Sequence, residues 1–312
     1  MGSKLLRLTL AAIGCVLVSM AANGDPEVRT RDIERAGRPH GDSPRDARPA
    51  DRGGSPEIDR MKASKIKFSC DFVSSPTDCG FQLQARASER ASIAKIGRDG
   101  RGGLRLRTEP DDTKIAGSGD MERADVYLSQ EETGCYEGRE QWWEHSILFP
   151  DDFVFPTWQM YVLFDFHHTG HRGQANFHVN FANGQLIFRG YGGEHVDDGE
   201  YVAPIGPVVK NVWYNFVYHV KWSSGNDGFM DAWVNGVKKL SHRGPTLYAG
   251  QGCYLKLANY HTPVCDPYPG CKGPASSVIH ARVVRRDVEP QKRAGSERPA
   301  LRTDASDSPG NR

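Results

Sequence analysis

Four histidines lie within the short segment FDFHHTGHRGQANFHVNF, residues 164–181, namely His167, His168, His171 and His178. Histidine titrates near ~6.5, so it can transfer protons at neutral pH, and its neutral ring is also a common metal ligand. Two glycines, Gly170 and Gly173, disfavour a helix that would carry His167 and His171 on one face. The chemistry therefore depends on which histidines share a face of an extended backbone.

Side-chain direction in two candidate strands sorts these residues, because successive strand residues point to opposite faces of a sheet. The apolar rows of 158–167 and 176–181 are Trp158, Met160, Val162, Phe164 and Phe166, and Phe177, Val179 and Phe181. A hairpin through HTGHRGQ would turn both rows to the core. The opposite, polar row then holds Asp165, His167, Asn176, His178 and Asn180, together with Tyr161 and Leu163.

Three interpretations of this polar row remain open. Two histidines and Asp165 could ligate a metal, or the row could be an ordinary solvated sheet face. The interpretation that we favour is a polar groove in which a histidine transfers a proton. We expect His167 and His178 on strands, and His168 and His171 in the loop at the rim.

Other candidate strands add charge to such a face. Alternation places Arg123 with Asp125 and Tyr127, places Tyr254 with Lys256 and Tyr260, and turns Arg189, His219 and Lys221 away from apolar neighbours. This composition suits an anionic, hydroxyl-rich ligand such as an acidic polysaccharide. Exposed aromatic rings such as Trp142 or Tyr191 could stack on sugars.

The organisation of the 312-residue chain supports one all-β domain. We interpret 1–21 as a signal peptide, 22–64 as a disordered linker, 65–288 as the domain and 289–312 as a disordered tail, because both spacers have almost no large apolar residue to bury. Short strands separated by turns predict an antiparallel β-sandwich or jelly roll. The candidate strands are 65–73, 103–108, 121–128, 141–149, 158–167, 175–181, 185–191, 213–222, 229–235, 253–260 and 278–286.

The first residues predict export to a secreted or periplasmic location. Lys4 and Arg7 precede an apolar run, and Ser19-Met20-Ala21 fits a cleavage site. A lipoprotein anchored at Cys15 is the alternative. We expect no membrane span after signal removal. The net charge of +1 provides no global field for nucleic acid, and we expect a monomer.

Six cysteines remain after the signal, and an even number in an oxidising compartment indicates disulfides. Short loops favour Cys70–Cys79 and Cys265–Cys271, which leaves Cys135–Cys253. Six cysteines allow 15 pairings. Zinc is the rival interpretation, but the chain has no CxxC pair.

Several stretches resemble the polysaccharide lyases grouped with heparin lyase I and glucuronan lyase, which share a concanavalin A-like jelly roll. They are ERADV (122–126), GREQWWEHSILFPDDF (138–153), WQMYVLFDFHHTG (158–170), YNFVYHVKWSSGNDGFMDAWVNGVKKL (214–240) and YLKLANYH (254–261). The resemblance implies cleavage of a uronic-acid polymer by β-elimination, without a required cofactor.

β-Elimination removes the proton at C5, beside the uronate carboxylate, and expels the oxygen at C4, so it needs a base, an acid and a group that neutralises the carboxylate. By resemblance, His167 would be the base or a carboxylate partner, and Tyr260 the acid, or both base and acid. Arg123 and Lys256 would hold the carboxylate. Further substrate contacts are expected from Asn176, His178, Asn180, Arg189, Asp165, His168 and Tyr254.

One residue departs from the resemblance: the histidine strand of these lyases often carries Gln where this chain has Asp165. An ionised Asp would repel a substrate carboxylate. Either it orients His167, or Arg123 and the asparagines neutralise the carboxylate, or the site is silent.

Two other functions remain open. A non-catalytic carbohydrate-binding module has the same fold. A glycoside hydrolase would need two carboxylates on one face, for which Asp125 and Asp165 are candidates. We expect no catalytic metal, although Asp151-Asp152 and Asp197-Asp198 could bind structural calcium.

Overall fold

The computed structural model describes residues 56–110, 112–113, 115, 121–155, 161–170, 173–182, 184–196, 198–261 and 274–288. The signal peptide, Trp158, His171, Asp197 and the Cys265–Cys271 pair lie outside them. The helices are α1 (Pro56–Ala63) and α2 (Gln130–Thr133). The strands are β1 (Ile66–Cys70), β2 (Gln82–Ala85), β3 (Ala91–Ala94), β4 (Gly103–Thr108), β5 (Glu122–Tyr127), β6 (Glu140–Leu148), β7 (Tyr161–His168), β8 (Phe177–Ala182), β9 (Gln185–Gly190), β10 (Tyr201–Gly206), β11 (Trp213–Lys221), β12 (Phe229–Val234), β13 (Val237–Arg243), β14 (Cys253–His261) and β15 (Ser276–Asp287).

Two antiparallel sheets build the domain, as the predicted jelly-roll sandwich requires. The eight-stranded sheet runs β13-β12-β11-β6-β15-β4-β3, with β1 paired to β15. The seven-stranded sheet runs β10-β9-β8-β7-β14-β5-β2. The central strands β7 and β14 of this second sheet are the two that carry the histidine segment and YLKLANYH.

The core lies between the sheets and is rich in aromatic rings. Phe164 of β7 stacks on Tyr218 of β11 with ring centroids 5.3 Å apart, and Phe166 meets the Trp222 ring edge-on at 4.9 Å. These rings are nearly or fully buried, and edge-to-face and offset contacts of this kind add to the free energy of burial. Because the apolar rows fill this core, the alternate residues of β5, β7, β8, β9 and β14 face outward from the seven-stranded sheet.

Each predicted strand corresponds to a strand of the structure. Four strands among the described residues were not predicted, namely β2, β3, β10 and β13. These are the outermost strands of the two sheets. An edge strand is half solvated, so it needs less apolar alternation, and it tolerates charges and proline. Lys238 and Lys239 of β13 and Pro204 of β10 show this edge composition.

The prediction that 22–64 is disordered is wrong at its C-terminal end, since α1 covers residues 56–63. Met61 is 3% exposed and packs with Trp142 and Trp233 on the outer face of the eight-stranded sheet. Glu57 in the first turn accepts a bond of 3.0 Å from Lys238. Ile58 of the same helix also packs against this cluster, so two apolar residues and one ion pair dock the segment.

A bulge in β7 corrects the predicted facing of its first half. The register with β8 skips a residue between Val162 and Phe164, which places two successive residues out of alternation. Tyr161 and Leu163, which we expected on the polar row, are therefore buried in the core, and Val162 turns outward. Asp165 and His167 keep the predicted direction because they follow the bulge.

The structure contains the disulfides Cys70–Cys79 and Cys135–Cys253, two of the three predicted pairs. The second pair joins the end of α2 to the start of β14. Within the described residues, no helix is both long and apolar enough to cross a membrane.

We expect removal of Cys135–Cys253 by paired Ala substitutions to destabilise the domain more than removal of Cys70–Cys79. The sequence separations are 118 and 9 residues, and loop-closure entropy predicts costs of about 5 and about 3 kcal/mol. Chemical denaturation of both variants checks this order. Equal losses would mean that loop entropy does not set the stability contribution of these bonds.

Candidate active site

A row of polar side chains crosses five strands on the outer face of the seven-stranded sheet. The registers pair Tyr127 with Lys256, Lys256 with Asp165, Asp165 with His178 and His178 with Arg189. Directly opposed residues of neighbouring strands have Cβ atoms about 5 Å apart. The structure therefore brings together five residues that the sequence placed on one face from separate segments.

The centre of the face is a buried charge cluster on β5 and β14. The Asp125 carboxylate is fully buried, and its Oδ2 lies 3.0 Å from Lys256 Nζ and 3.2 Å from Arg123 Nε. Burial would lower the pKa of Lys256, but the carboxylates of Asp125 and Asp165 outweigh it and raise that pKa above its ordinary value. Lys256 therefore stays charged, and two cations form ion pairs with one buried carboxylate.

Asp165 lies beside this cluster but is poorly compensated. It is 5% exposed, and its Oδ1 has no hydrogen-bond partner within the described residues. Burial raises the pKa of Asp165 to about 7, against the opposing charge of Lys256. The predicted contact that would orient His167 is not formed, because His167 Nδ1 lies 3.0 Å from the carbonyl oxygen of His168 instead.

His167 and Tyr254 form an aromatic pair on one side of the cluster. Their residues are directly opposed in the β7–β14 register, and the ring centroids lie 5.2 Å apart. Burial lowers the pKa of His167, and Lys256 and Arg123 lower it further. Burial also raises the pKa of Tyr254. At neutral pH the imidazole is therefore free to accept a proton, and the phenol keeps its own.

Tyr260 lies on the other side of the cluster. The Arg123 guanidinium carbon is 4.0 Å from the centroid of the Tyr260 ring, a cation–π contact. Tyr260 is six residues from Tyr254, about 20 Å along an extended strand. Arg123 contacts the Tyr260 ring, and its Nε lies 3.2 Å from Asp125. His167, which is opposed to Tyr254, and Tyr260 therefore lie at opposite ends of the cluster along β14.

The neighbouring strand β8 adds buried polar groups. His178 Nε2 lies 3.3 Å from Asn180 Nδ2, and burial, with Arg189 and His167, lowers the pKa of His178 to about 3. Asn176, just before β8, donates from Nδ2 to the carbonyl oxygen of Tyr191 at 3.5 Å. Asn176 and Asn180 each have a side-chain oxygen without a hydrogen-bond partner among the described residues. His178 is therefore a neutral group rather than a source of positive charge.

Several predicted contributors are placed elsewhere. His168 is not at the rim; it ends β7, is 3% exposed, and its Nε2 lies 2.9 Å from the carbonyl oxygen of Gly173. His219 and Lys221 belong to β11 of the eight-stranded sheet, on the far side of the sandwich. Alternation predicted their direction from the core correctly but could not tell which sheet they join.

The aromatic residues offered for sugar stacking are not exposed. Trp142 is 3% exposed and is covered by His219, whose ring stacks on it at 3.8 Å. Tyr191 is 6% exposed, and its hydroxyl donates to Glu200 at 2.9 Å. Arg189 also pairs with Glu200, at 3.1 Å, so this end of the row is partly neutralised.

A cavity of about 480 Å³ continues the site beyond Tyr254. It is lined by Leu83, Gln84, Tyr127, Ser129, Gln130, Thr169 and Tyr254. Leu83 and Gln84 lie on the edge strand β2, which the sequence did not predict. Alternation in QLQA would have been the only local signal, and four residues are too short to carry it.

The alternative metal interpretation gains no support from the geometry. Within the described residues, no group of three or more His, Cys, Asp and Glu side chains is arranged to hold a metal ion. Of the residues suggested for calcium, Asp152 pairs with Arg107 at 3.2 Å and also contacts Arg105, while Asp151 accepts a bond from Asn211 at 2.7 Å.

Comparison with known proteins identifies the family. The family model described as polysaccharide lyase matches residues 74–277, which include the whole seven-stranded sheet, most strands of the eight-stranded sheet and the charge cluster. This chain therefore belongs to the polysaccharide lyases, and it is an enzyme of the jelly-roll type.

Two solved structures are similar to this chain at low identity, and the first of them shares its fold. An endo-β-1,4-glucuronan lyase from the fungus Trichoderma reesei is similar with a TM-score of 0.56 and 16% identity, covering 72% of this chain and 96% of that one. The alginate lyase Aly36B is similar with a TM-score of 0.47 and 16% identity, covering 70% of this chain and 93% of that one. No curated protein matches the sequence significantly.

Proposed function

We propose that this lyase cleaves a uronic-acid-containing polysaccharide by β-elimination at the outer face of the seven-stranded sheet. The observation that carries the proposal is the buried cluster of Arg123, Asp125 and Lys256, flanked by His167 and by Tyr260. Two cations and one carboxylate leave a positive charge in a desolvated site when the neighbouring Asp165 is protonated. Such a charge suits the carboxylate of a uronate, and the fold is shared with a glucuronan lyase.

The proposed reaction begins with the uronate carboxylate at Arg123 and Lys256. Their charges stabilise the negative charge that develops when the C5–H bond breaks. The electron pair of that bond forms the C4–C5 double bond, and the C4–O bond breaks. The leaving oxygen takes a proton, so the products are an unsaturated uronate end and a new free hydroxyl.

His167 and Tyr260 are the proton-transfer groups of this proposal. His167 suits the role of base because its lowered pKa keeps the imidazole neutral. Tyr260 would protonate the leaving oxygen. In an elimination in which H5 and O4 leave from opposite faces of the sugar, His167 would take the proton at C5 and Tyr260 would protonate O4. If they leave from the same face, Tyr260 alone could take and return the proton, with His167 as a carboxylate partner.

The remaining polar residues would bind the sugars on either side of the cleaved bond. Tyr254 and His178 border the cluster along β14 and β8. The side-chain oxygens of Asn176 and Asn180, which have no partner among the described residues, can accept hydrogen bonds from sugar hydroxyls. Arg189 and His168 are engaged by Glu200 and by the Gly173 carbonyl, so we assign them supporting rather than direct roles.

We expect incubation with glucuronan, alginate or heparin to yield unsaturated uronate ends, detected as new ultraviolet absorbance. A neutral glucan serves as the control, because it has no carboxylate to acidify the proton at C5. New reducing ends without ultraviolet absorbance would indicate hydrolysis instead. Saturable binding without any shortening of the polymers would indicate a binding module.

We also propose that the enzyme acts outside the cytoplasm, as a monomer and without a required cofactor. The disulfides Cys70–Cys79 and Cys135–Cys253 support export, since such bonds persist in oxidising compartments. Cell fractionation would check this location.

A further inference from the structure

The charge of the cluster depends on Asp165. Arg123 and Lys256 contribute two positive charges and Asp125 one negative charge, all three at least nine-tenths buried. With Asp165 ionised, the four groups sum to zero and attract no further anion. With Asp165 neutral, they carry one net positive charge, which a single carboxylate would balance.

The geometry shows why Asp165, rather than Asp125, is the group that can change state. Asp125 takes the close contacts of both cations, at 3.0 Å to Lys256 and 3.2 Å to Arg123. Asp165 is opposed to Lys256 on one neighbouring strand and to His178 on the other, and among the described residues it forms no such close ion pair. Both carboxylates have buried oxygens without a hydrogen-bond partner among those residues, so the ion pairs are what distinguish Asp125 from Asp165. Burying an uncompensated carboxylate costs far more free energy than burying its protonated form.

The histidines around Asp165 are not expected to exchange a proton near pH 7. His178 lies on β8, with its pKa lowered to about 3 by burial, by Arg189 and by His167. His167 and His168 flank Asp165 on β7, and burial lowers the pKa of each. These imidazoles are neutral near pH 7. Asp165, whose pKa burial raises to about 7, is the group poised to exchange a proton there.

We propose that binding of a uronate carboxylate at the cluster is coupled to uptake of one proton by Asp165. This inference rests on the proposed function, because it takes the uronate as the anion that enters the site. An incoming carboxylate raises the cost of a second negative charge at Asp165. By linkage, protonation of Asp165 then strengthens substrate binding by the same factor. Asp165 acts through the charge of the site and need not contact the reacting atoms.

The first test concerns the protein without ligand. In wild type, infrared difference spectroscopy should detect the carbonyl band of a buried protonated carboxyl that disappears as the pH rises through about 7. Asp165→Asn should remove that band while keeping the shape of the side chain. A wild-type spectrum without such a band, or one unchanged in D165N, would overturn the proposal whether or not the enzyme is a lyase.

The second test measures the coupling itself, with a β-1,4-linked glucuronate tetrasaccharide in a Tyr260→Phe background that prevents its cleavage. Calorimetry in buffers of different ionisation enthalpy should show uptake of up to one proton per ligand just above pH 7. The association constant should fall up to about tenfold per pH unit there. Adding Asp165→Asn should abolish both effects and hold the affinity at its low-pH level.

Two outcomes of the second test would contradict the coupling. Proton uptake that persists in the Asp165→Asn variant but disappears on His167→Gln would assign the proton to the imidazole. A pH-independent affinity in the presence of Asp165 would remove the linkage. A tetrasaccharide that fails to bind at any pH would count against the proposed substrate class, while the infrared titration would still decide the state of Asp165.

Discussion

Replacing Tyr260 with Phe is expected to lower kcat about 10²–10⁴-fold, the usual contribution of general acid–base catalysis. The substitution removes one oxygen and keeps the ring that contacts Arg123 at 4.0 Å. The cation–π contact and the fold should therefore survive. Tyr260 is required whether H5 and O4 leave from the same face or from opposite faces of the sugar, because in both cases the phenol protonates the leaving oxygen.

The measurement is initial-rate formation of unsaturated ends from whichever acidic polymer is active, together with thermal unfolding of the variant. Tyr254→Phe is the discriminating variant, since Tyr254 lies on the same strand and face and pairs with His167. We expect it to raise KM more than it lowers kcat. If Tyr254→Phe abolished turnover and Tyr260→Phe did not, the acid would be Tyr254 and our assignment would be wrong.

In the same experiment, His167→Ala distinguishes elimination from opposite faces of the sugar, with His167 as base, from elimination on one face. Loss of activity as large as that of Tyr260→Phe would identify His167 as the base. A smaller loss would leave Tyr260 as both base and acid, with His167 holding the substrate. Either result preserves the location of the site, whereas full activity in both variants would refute it.

Replacing Asp125 with Asn is expected to destabilise the domain by about 3–5 kcal/mol, the range for removing one partner of a buried ion pair. The amide has nearly the same shape, so little packing is lost. Arg123 and Lys256 would keep their charges without the fully buried carboxylate that lies 3.0–3.2 Å from them. The cost is therefore electrostatic and should fall if the two cations can recruit an anion.

Urea denaturation of Asp125→Asn gives this free energy directly, and added uronate oligosaccharide should recover part of it. The matched control is Asp227→Asn, which removes the partner of Lys221 in an exposed pair whose side chains are 67% and 28% exposed. Such pairs contribute at most about 1 kcal/mol. Similar losses in the two variants would show that the buried cluster is not a special electrostatic feature of the fold.

The sequence predicted the sheet interior well because strand alternation is a local property. Leu255 and Leu257 had to be buried, which turned Lys256 and Tyr260 outward, and the same reasoning placed Arg123 and Asp125 together. The method failed where the local rule is broken. The bulge at Leu163 reversed Tyr161 and Val162, and the edge strands lacked the alternation on which the prediction depends.

Local sequence patterns could not predict which strands pair, because pairing depends on contacts between residues distant in the chain. His219 and Lys221 alternate as well as Arg189 does, yet they join the other sheet. Local alternation also could not distinguish Asp125, compensated by two cations, from Asp165, which is not. That difference arises from the two hydrogen-bond ladders that place β14 between β5 and β7.

The amino-acid sequence by itself therefore determined the all-β class, the identity of the reactive side chains and the direction in which most of them point. Tertiary structure decided which of these side chains are neighbours and which are deprived of water. Charge and protonation depend on distance and burial, and both are set by strands that meet only when the chain is folded. The burial that raises the pKa of Asp165 arises in this way.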